Sequence, residues 1–124
     1  MFRIIFICFT IFSSSPNMIS YFDLYEKLES DEPIYLLDVR LYEDYKNERI
    51  SNSIWGGEID ELEKIITDIS KQSVIIIYCD YESRSKIVYK ILRKKKYKNL
   101  HIVSGGFNGW KNEGFPIETA DIDY

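Results

Sequence analysis

Runs of apolar residues alternate with amphipathic segments along most of the chain. Residues 34–39, 73–78 and 100–103 are apolar without the period-two alternation of a half-exposed strand, which is typical of strands buried on both faces. Residues 58–69 and 85–96 instead repeat apolar side chains at helical spacing. Buried strands that alternate with helices predict one α/β domain, in which a mostly parallel central sheet carries helices on both faces.

Each long amphipathic segment predicts which side chains form its buried face. A first helix is predicted to begin at Ser20, which forms a capping box with Asp23, and to end at residue 29. Two short helices are expected at residues 41–47 and after Gly105, and a short extended piece at 53–55. The side chains predicted to face the core from the three longer helices are Phe22, Tyr25, Leu28, Ile59, Leu62, Ile65, Ile66, Ile69, Ile87, Val88, Ile91 and Leu92.

The length and charge of the chain limit the possible functions. The 124 residues suffice for one domain, predicted over residues 18–118, followed by a flexible acidic tail at 119–124.

The net charge is −4, yet residues 84–98 carry eight Lys or Arg and no acid. Because the remainder is acidic, nucleic acid is not expected as a partner. The basic run is interpreted as a solvated helix end, with a docking patch for an acidic partner as the alternative.

The first seventeen residues differ in character from the rest. Arg3 is their only charge, and the apolar run that follows resembles the core of a secretory signal peptide. The run is too short to span a bilayer as a helix. Residues 1–17 therefore predict export, for example to the periplasm. The alternatives are an uncleaved membrane anchor, or a cytoplasmic protein whose true start is Met18.

The cysteine and histidine content argues against two kinds of site. Cys8 and Cys79 are the only cysteines, which is too few for a disulfide framework. His101 is the only histidine, so no Cys/His cluster is available to hold a metal ion. The sequence predicts neither a metal nor a cofactor.

Polar residues follow each of the three predicted buried strands. Asp38 and Arg40 lie at the end of the first, Cys79 follows the second, and residues 104–106 follow the third. The carboxyl ends of parallel strands meet at one edge of a sheet, where ligands of α/β proteins bind. We therefore expect a functional site at this edge.

The turn from Cys79 to Arg84, with the sequence CDYESR, is the strongest candidate for that site. It joins a buried strand to a helix, where backbone N–H groups and the helix dipole favour an anion. Such surroundings favour the thiolate, which is the nucleophilic form of cysteine. Arg84 adds a fixed positive charge with several donors. The alternative is a buried, inert cysteine that packs as a small apolar residue.

Four segments in order resemble the rhodanese-like domain family over residues 19–117. These are YLLDVR at 35–40, the segment 42–54, YCDYESRS at 78–85, and residues 103–116 with their glycines, Trp110 and Pro116. The resemblance implies a three-layer rhodanese-like fold and sulfurtransferase activity. Sulfurtransferases of this family have a six-residue loop, as here, whereas the related phosphatases have one more residue. Phosphatase or arsenate reductase activity is therefore the less favoured alternative.

The resemblance also implies the roles of individual residues. Cys79 would carry sulfane sulfur as a persulfide, taken from thiosulfate, a polysulfide or a persulfide and passed to a thiol or cyanide. Small donors and acceptors are the expected partners, and a protein persulfide is a further one. Asp38 and Arg40 would brace the loop. The residues implied to bind the substrate are Asp80, Tyr81, Glu82, Ser83, Arg84 and Ser85.

Two acids in the loop depart from the family pattern. Glu82 stands at the position of a glycine, which would strain the backbone if that position needs a positive φ. Asp80 and Glu82 would also oppose an anionic donor. The departure predicts weak turnover with thiosulfate that improves on replacing Glu82 with glycine. It also leaves open a second class of function, a catalytically silent module that binds a partner.

Overall fold

The structure is a computed structural model that describes residues 15–120. Seven strands and five helices alternate along these residues. In chain order they are β1 (Met18–Ile19), α1 (Tyr21–Glu29), β2 (Ile34–Asp38), α2 (Tyr42–Asn47), β3 (Glu48–Ile50), β4 (Ile54–Trp55), α3 (Ile59–Thr67), β5 (Val74–Tyr78), α4 (Ser83–Lys94), β6 (Leu100–Val103), α5 (Gly106–Asn112) and β7 (Ile117–Thr119).

The central sheet has five parallel strands in the order β1-β6-β5-β2-β4. β5 therefore lies between β6 and β2, and its last residue, Tyr78, pairs with Asp38 of β2. This confirms the predicted α/β class and the parallel sheet. β1 was not predicted, because two residues are too few to produce a sequence pattern.

Helices cover both faces of the sheet and define two apolar clusters. On one face, Leu62 and Ile66 of α3 pack with Tyr89 and Leu92 of α4. On the other face, the side chains that pack together are Leu24 of α1 and Phe107 and Trp110 of α5. Successive strand residues alternate between these clusters, which explains why β2 and β5 are apolar at almost every position.

Three side chains predicted to face the core are exposed instead. Phe22 is 61% exposed, Ile59 53% and Ile87 59%. In α1 the residue turned inward is Leu24, with no exposed surface. The apolar stripe of each helix is wider than the face that touches the sheet, so periodicity alone does not select the contact residues.

A second, two-stranded antiparallel sheet pairs β3 with β7. Thr119 pairs with Glu48, and the Ala120 N–H donates to the Asn47 carbonyl at 2.9 Å. The tail predicted from residue 119 thus starts inside a strand. Residues 121–124 and 1–14 lie outside the described residues, and so does most of the predicted signal segment. Among residues 15–120, no helix has the length and apolar character needed to cross a membrane.

Candidate active site

The polar residues that follow β2, β5 and β6 meet at one edge of the sheet, as expected. Asp38 ends β2 beside Tyr78 of β5, and Cys79 comes next. Cys79 is 2% exposed and packs in the same apolar cluster as Val39 and Leu62. The thiol therefore lies at the base of the loop, on the face of the sheet that α3 and α4 cover.

The loop after Cys79 presents a run of unused backbone donors. The N–H groups of residues 80–85 donate to no acceptor within residues 15–120. The first such bond beyond them runs from Lys86 N to the Glu82 carbonyl at 3.0 Å, where α4 begins. Six successive N–H groups without an acceptor, next to a helix N-terminus, favour a negative charge beside them.

The carbonyl side of the loop is held by α5. Phe107 N donates to the Cys79 carbonyl at 2.8 Å, and Asn108 N donates to the Asp80 carbonyl at 3.2 Å. Gly106, with φ +65°, lies so close that an added Cβ would be 2.3 Å from the Tyr81 carbonyl oxygen. The backbone of the glycine turn after β6 is therefore in close contact with the loop, and only glycine fits at position 106.

Glu82 does not strain the loop at the position of the family's glycine. Its φ is −143°, which any residue adopts. Its carboxylate accepts from Gly105 N at 3.0 Å and lies 3.4 Å from the Lys86 ammonium. Glu82 thus ties the loop to the same glycine turn, and both partners offset its charge. The 23-residue separation between Glu82 and Gly105 left no local signal in the sequence.

Tyr21 is a residue of this region that the sequence pattern did not single out. Its hydroxyl donates to the Gly106 carbonyl at 3.0 Å. An added Cβ at Gly105 or Gly109 would lie within 2.2 Å of that hydroxyl, so both glycines make room for the ring. Burial raises the pKa of Tyr21, and the nearby charges of Glu113 and Glu82 add to this. The hydroxyl therefore stays protonated and donating.

Asp38 and Arg40 form a buried ion pair rather than a surface one. Their side chains are 0% and 3% exposed, and Arg40 Nη2 lies 2.6 Å from Asp38 Oδ2. Burial alone would lower the pKa of Arg40, but the hydrogen bonds and charge of Asp38 outweigh it and raise that pKa. The guanidinium also lies 3.9 Å from the centre of the Phe107 ring. The pair therefore supports the residue whose N–H holds the Cys79 carbonyl.

The helix α4 begins two residues before the segment 85–96 that shows helical spacing in the sequence, so Ser85 lies inside the helix and does not cap it. The helix starts at Ser83, and Glu82 occupies the N-cap position. Ser85 lies in the first turn with no exposed surface, and its hydroxyl has no hydrogen-bond partner within residues 15–120. A buried hydroxyl without a partner is costly, so a hydrogen-bond partner for the Ser85 hydroxyl would be stabilising.

The remaining loop residues are open to solvent. Asp80, Ser83 and Arg84 are exposed, and Tyr81 is 66% exposed. Within the described part of the chain, the Arg84 guanidinium makes no ion pair within 4.0 Å. Arg84 and the free N–H groups are thus the positive features of the loop. Asp80 forms no ion pair within the described residues, although its charge acts on the nearby Arg40 guanidinium.

Comparison with known proteins identifies relatives of this chain. The model of the Rhodanese-like domain matches residues 21–113. The putative sulfurtransferase YtwF of Bacillus subtilis is 34% identical over 93 residues, which cover 75% of this chain and 88% of YtwF. The adenylyltransferase and sulfurtransferase uba4 of Ogataea parapolymorpha is 31% identical over 74% of this chain, but only 24% of uba4 is covered.

Solved structures support the same relationship. The crystal structure of a rhodanese-related protein from Thermoplasma volcanium superposes with a TM-score of 0.69 at 27% identity, covering 82% of this chain and 97% of that one. The chain spans less than half the length of several curated relatives, which carry further sequence.

Proposed function

The chain belongs to the rhodanese-like domain family, and on that premise we propose that it is a sulfurtransferase that carries sulfane sulfur as a Cys79 persulfide. The observation that carries the proposal is the row of unused N–H groups at residues 80–85, which directly follows the one thiol of the described chain. A persulfide is an anion, and preorganised backbone donors stabilise such charge without reorganisation. The names of YtwF and uba4 support the same class of reaction.

The reaction we propose has two displacement steps. The Cys79 thiolate attacks the outer sulfur of a donor, and the donor's sulfur bond breaks with its electron pair leaving on the donor. An acceptor thiol or cyanide then attacks the outer sulfur of the persulfide, and the Cys79 thiolate is regenerated. Both enzyme forms are anionic, so the same N–H groups serve both.

Residues around the loop receive distinct roles in this proposal. Arg84 attracts the anionic donor and helps the leaving group depart. The Ser85 hydroxyl donates to the outer sulfur or to the thiolate, because it lacks a protein partner. Asp38 and Arg40 hold the loop in place through Phe107 and take no part in bond breaking.

Small sulfur donors and thiol acceptors are the proposed substrates. A protein persulfide or a sulfur-carrier protein is a further proposed partner, since one relative is named a putative sulfur carrier protein and another an adenylyltransferase and sulfurtransferase.

Intact mass measurement tests the function directly. The purified chain is incubated with thiosulfate, or with a polysulfide, and the mass is expected to rise by one sulfur atom. Cyanide should remove the added atom, and Cys79→Ser should acquire none. If no donor adds sulfur to the native chain, the proposal fails and a partner-binding module becomes the better description.

A further inference from the structure

Three exposed cations near the end of α4 form a basic patch. Lys90, Arg93 and Lys94 lie three and four residues apart, which places them on one face of the helix. Within the described part of the chain, none of the three makes an ion pair within 4.0 Å. The sequence has no Asp or Glu from residue 83 to residue 112. The patch therefore carries positive charge that no carboxylate of α4, β6 or α5 offsets.

The chain that precedes β1 lies against the basic patch. Pro16 lines one hollow of about 270 Å³ together with Tyr89 and the three residues of the patch. The Asn17 N–H donates to the Tyr89 hydroxyl at 3.5 Å, and the Asn17 carbonyl accepts from Ile102 N at 2.8 Å. These two bonds fix the start of the described chain beside α4. Residues 1–14 are therefore connected to the domain at the edge of the patch.

The segment connected there is apolar in sequence. The run from Ile4 to Phe12 is apolar except for Thr10, and Arg3 is the only charged residue among the first seventeen. An apolar segment and a cluster of cations are the two features that together attach a protein stably to an anionic bilayer. The first buries side chains among the lipid chains, and the second is attracted to the headgroups.

This neighbourhood decides among the possible occupants of the basic patch. The segment 1–14 is a poor occupant, because its one charge, Arg3, is also positive. An acidic protein or a nucleic acid would fit the charge of the patch but would leave the adjoining apolar segment without a partner. A lipid surface fits both features at once.

We propose that the basic patch of α4 and the apolar run from Ile4 to Phe12 together bind the surface of an anionic lipid bilayer. The run is too short to cross a bilayer as a helix, so the attachment is to one side of the membrane. The proposal takes the uncleaved alternative for residues 1–17. It is independent of the sulfurtransferase function, because no residue of the cysteine loop takes part.

The position of the patch sets the orientation of the domain on the membrane. The twelve residues of α4 extend about 18 Å from the cysteine loop, and the patch occupies the last five of them. Asn17 likewise lies before β1, at the edge of the sheet opposite the one where Cys79 follows β5. The cysteine loop thus faces away from the lipid and stays open to substrates from water.

Binding of the full chain to vesicles tests the proposal. Vesicles of phosphatidylcholine are compared with vesicles of equal parts phosphatidylcholine and phosphatidylglycerol by co-sedimentation. We expect the partition coefficient to be about tenfold or more higher for the anionic vesicles, since each cation near the surface adds attraction. Raising the ionic strength from about 0.1 M to about 1 M should remove that difference, because the screening length falls from about 10 Å to about 3 Å. Equal partition into both kinds of vesicle at low salt would overturn the proposal.

Two variants with the same net charge locate the effect. The patch variant carries three substitutions, Lys90→Gln, Arg93→Gln and Lys94→Gln. The control variant removes three exposed cations of other helices, with Lys46→Gln, Lys64→Gln and Lys111→Gln. We expect the patch variant to lose the preference for anionic vesicles and the control variant to keep most of it. Equal losses in the two variants would mean that overall charge and not the patch is read, and would overturn the proposal.

The apolar run is tested in the full chain by Ile5→Asp combined with Phe9→Asp. Partition into both kinds of vesicle is expected to fall about tenfold or more, because charged side chains oppose insertion. Native partition by this double variant would overturn the proposal. So would native protein that begins after residue 12 when purified from its own cells. Patch-dependent binding to polyglutamate without binding to either vesicle would overturn it in favour of an acidic protein.

Discussion

The close contact between Gly106 and the cysteine loop makes Gly106→Ala an informative substitution. The new Cβ would lie 2.3 Å from the Tyr81 carbonyl oxygen and 2.6 Å from that of Asp80, and both neighbours are backbone atoms that cannot rotate away. The loop or the start of α5 must therefore move. Since the loop holds the proposed N–H donors, we expect the variant to lose stability and persulfide formation together.

Gly114 provides the matched control for the cost of the backbone conformation. Its φ is +82°, and an added Cβ there would meet no atom within 4 Å. Gly114→Ala should therefore cost only the left-handed conformation, about 1–2 kcal/mol. Gly106→Ala pays a similar amount at φ +65° and adds about 1–3 kcal/mol of overpacking, for about 2–5 kcal/mol in all.

Urea unfolding and sulfur loading measure the two effects separately. The free energy of unfolding of most domains is about 5–15 kcal/mol, so both variants should remain largely folded at 25 °C. Loading, measured by intact mass and divided by the folded fraction, is expected to fall by about tenfold or more in Gly106→Ala and to stay near native in Gly114→Ala. Equal unfolding free energies and equal loading in the two variants would refute a role for the close contact.

Three further substitutions test other contacts of the site and the sheet. Asp38→Asn leaves the buried Arg40 charge without its partner and is expected to lower the free energy of unfolding by about 3–5 kcal/mol in urea titrations. Glu82→Gly removes the bond to the Gly105 N–H, so we expect slower thiosulfate loading, opposite to the gain that its negative charge alone predicts. The pKa of His101 is lowered from 6.5 by burial and by the charge of Lys27, so the unfolded chain takes up the proton first and stability is expected to fall as the pH drops below about 6.5. His101→Gln should flatten that part of a denaturation series between about pH 8 and pH 5.

Specific outcomes would contradict each of these expectations. An unfolding free energy of Asp38→Asn within about 1 kcal/mol of native would mean that the pair behaves as a surface one. Faster thiosulfate loading by Glu82→Gly would show that its charge matters more than its bond. A pH profile of His101→Gln that keeps the native slope would assign that slope to other groups.

The sequence predicted the parallel sheet and the common edge at which its polar strand ends meet, because both depend on local patterns. Runs such as residues 74–78 are apolar throughout, and the turn after each run is polar, so the parallel strands and their common edge follow from chain order. The prediction that Ile59 and Ile87 face the core was wrong. The pattern marks both residues as apolar, but it does not say whether the sheet or solvent lies opposite them.

Contacts between distant residues had no sequence signal. Glu82 meets Gly105, and Tyr21 meets Gly106 85 positions along the chain, through single hydrogen bonds that any polar residue could make elsewhere. The β3–β7 pair was missed for a similar reason, because strands of three residues are too short to show alternation. The role of Glu82 in particular follows from its partner and not from its own identity.

The two hydrogen bonds from α5 to the loop have a stereochemical consequence. In a planar trans peptide unit, the carbonyl and the N–H of the next residue point in opposite directions. When Phe107 N holds the Cys79 carbonyl toward α5, it turns the Asp80 N–H the other way, and Asn108 N does the same for Tyr81. The amide dipoles at the start of the loop are thus oriented from outside it, by a helix that need not touch the sulfur at all.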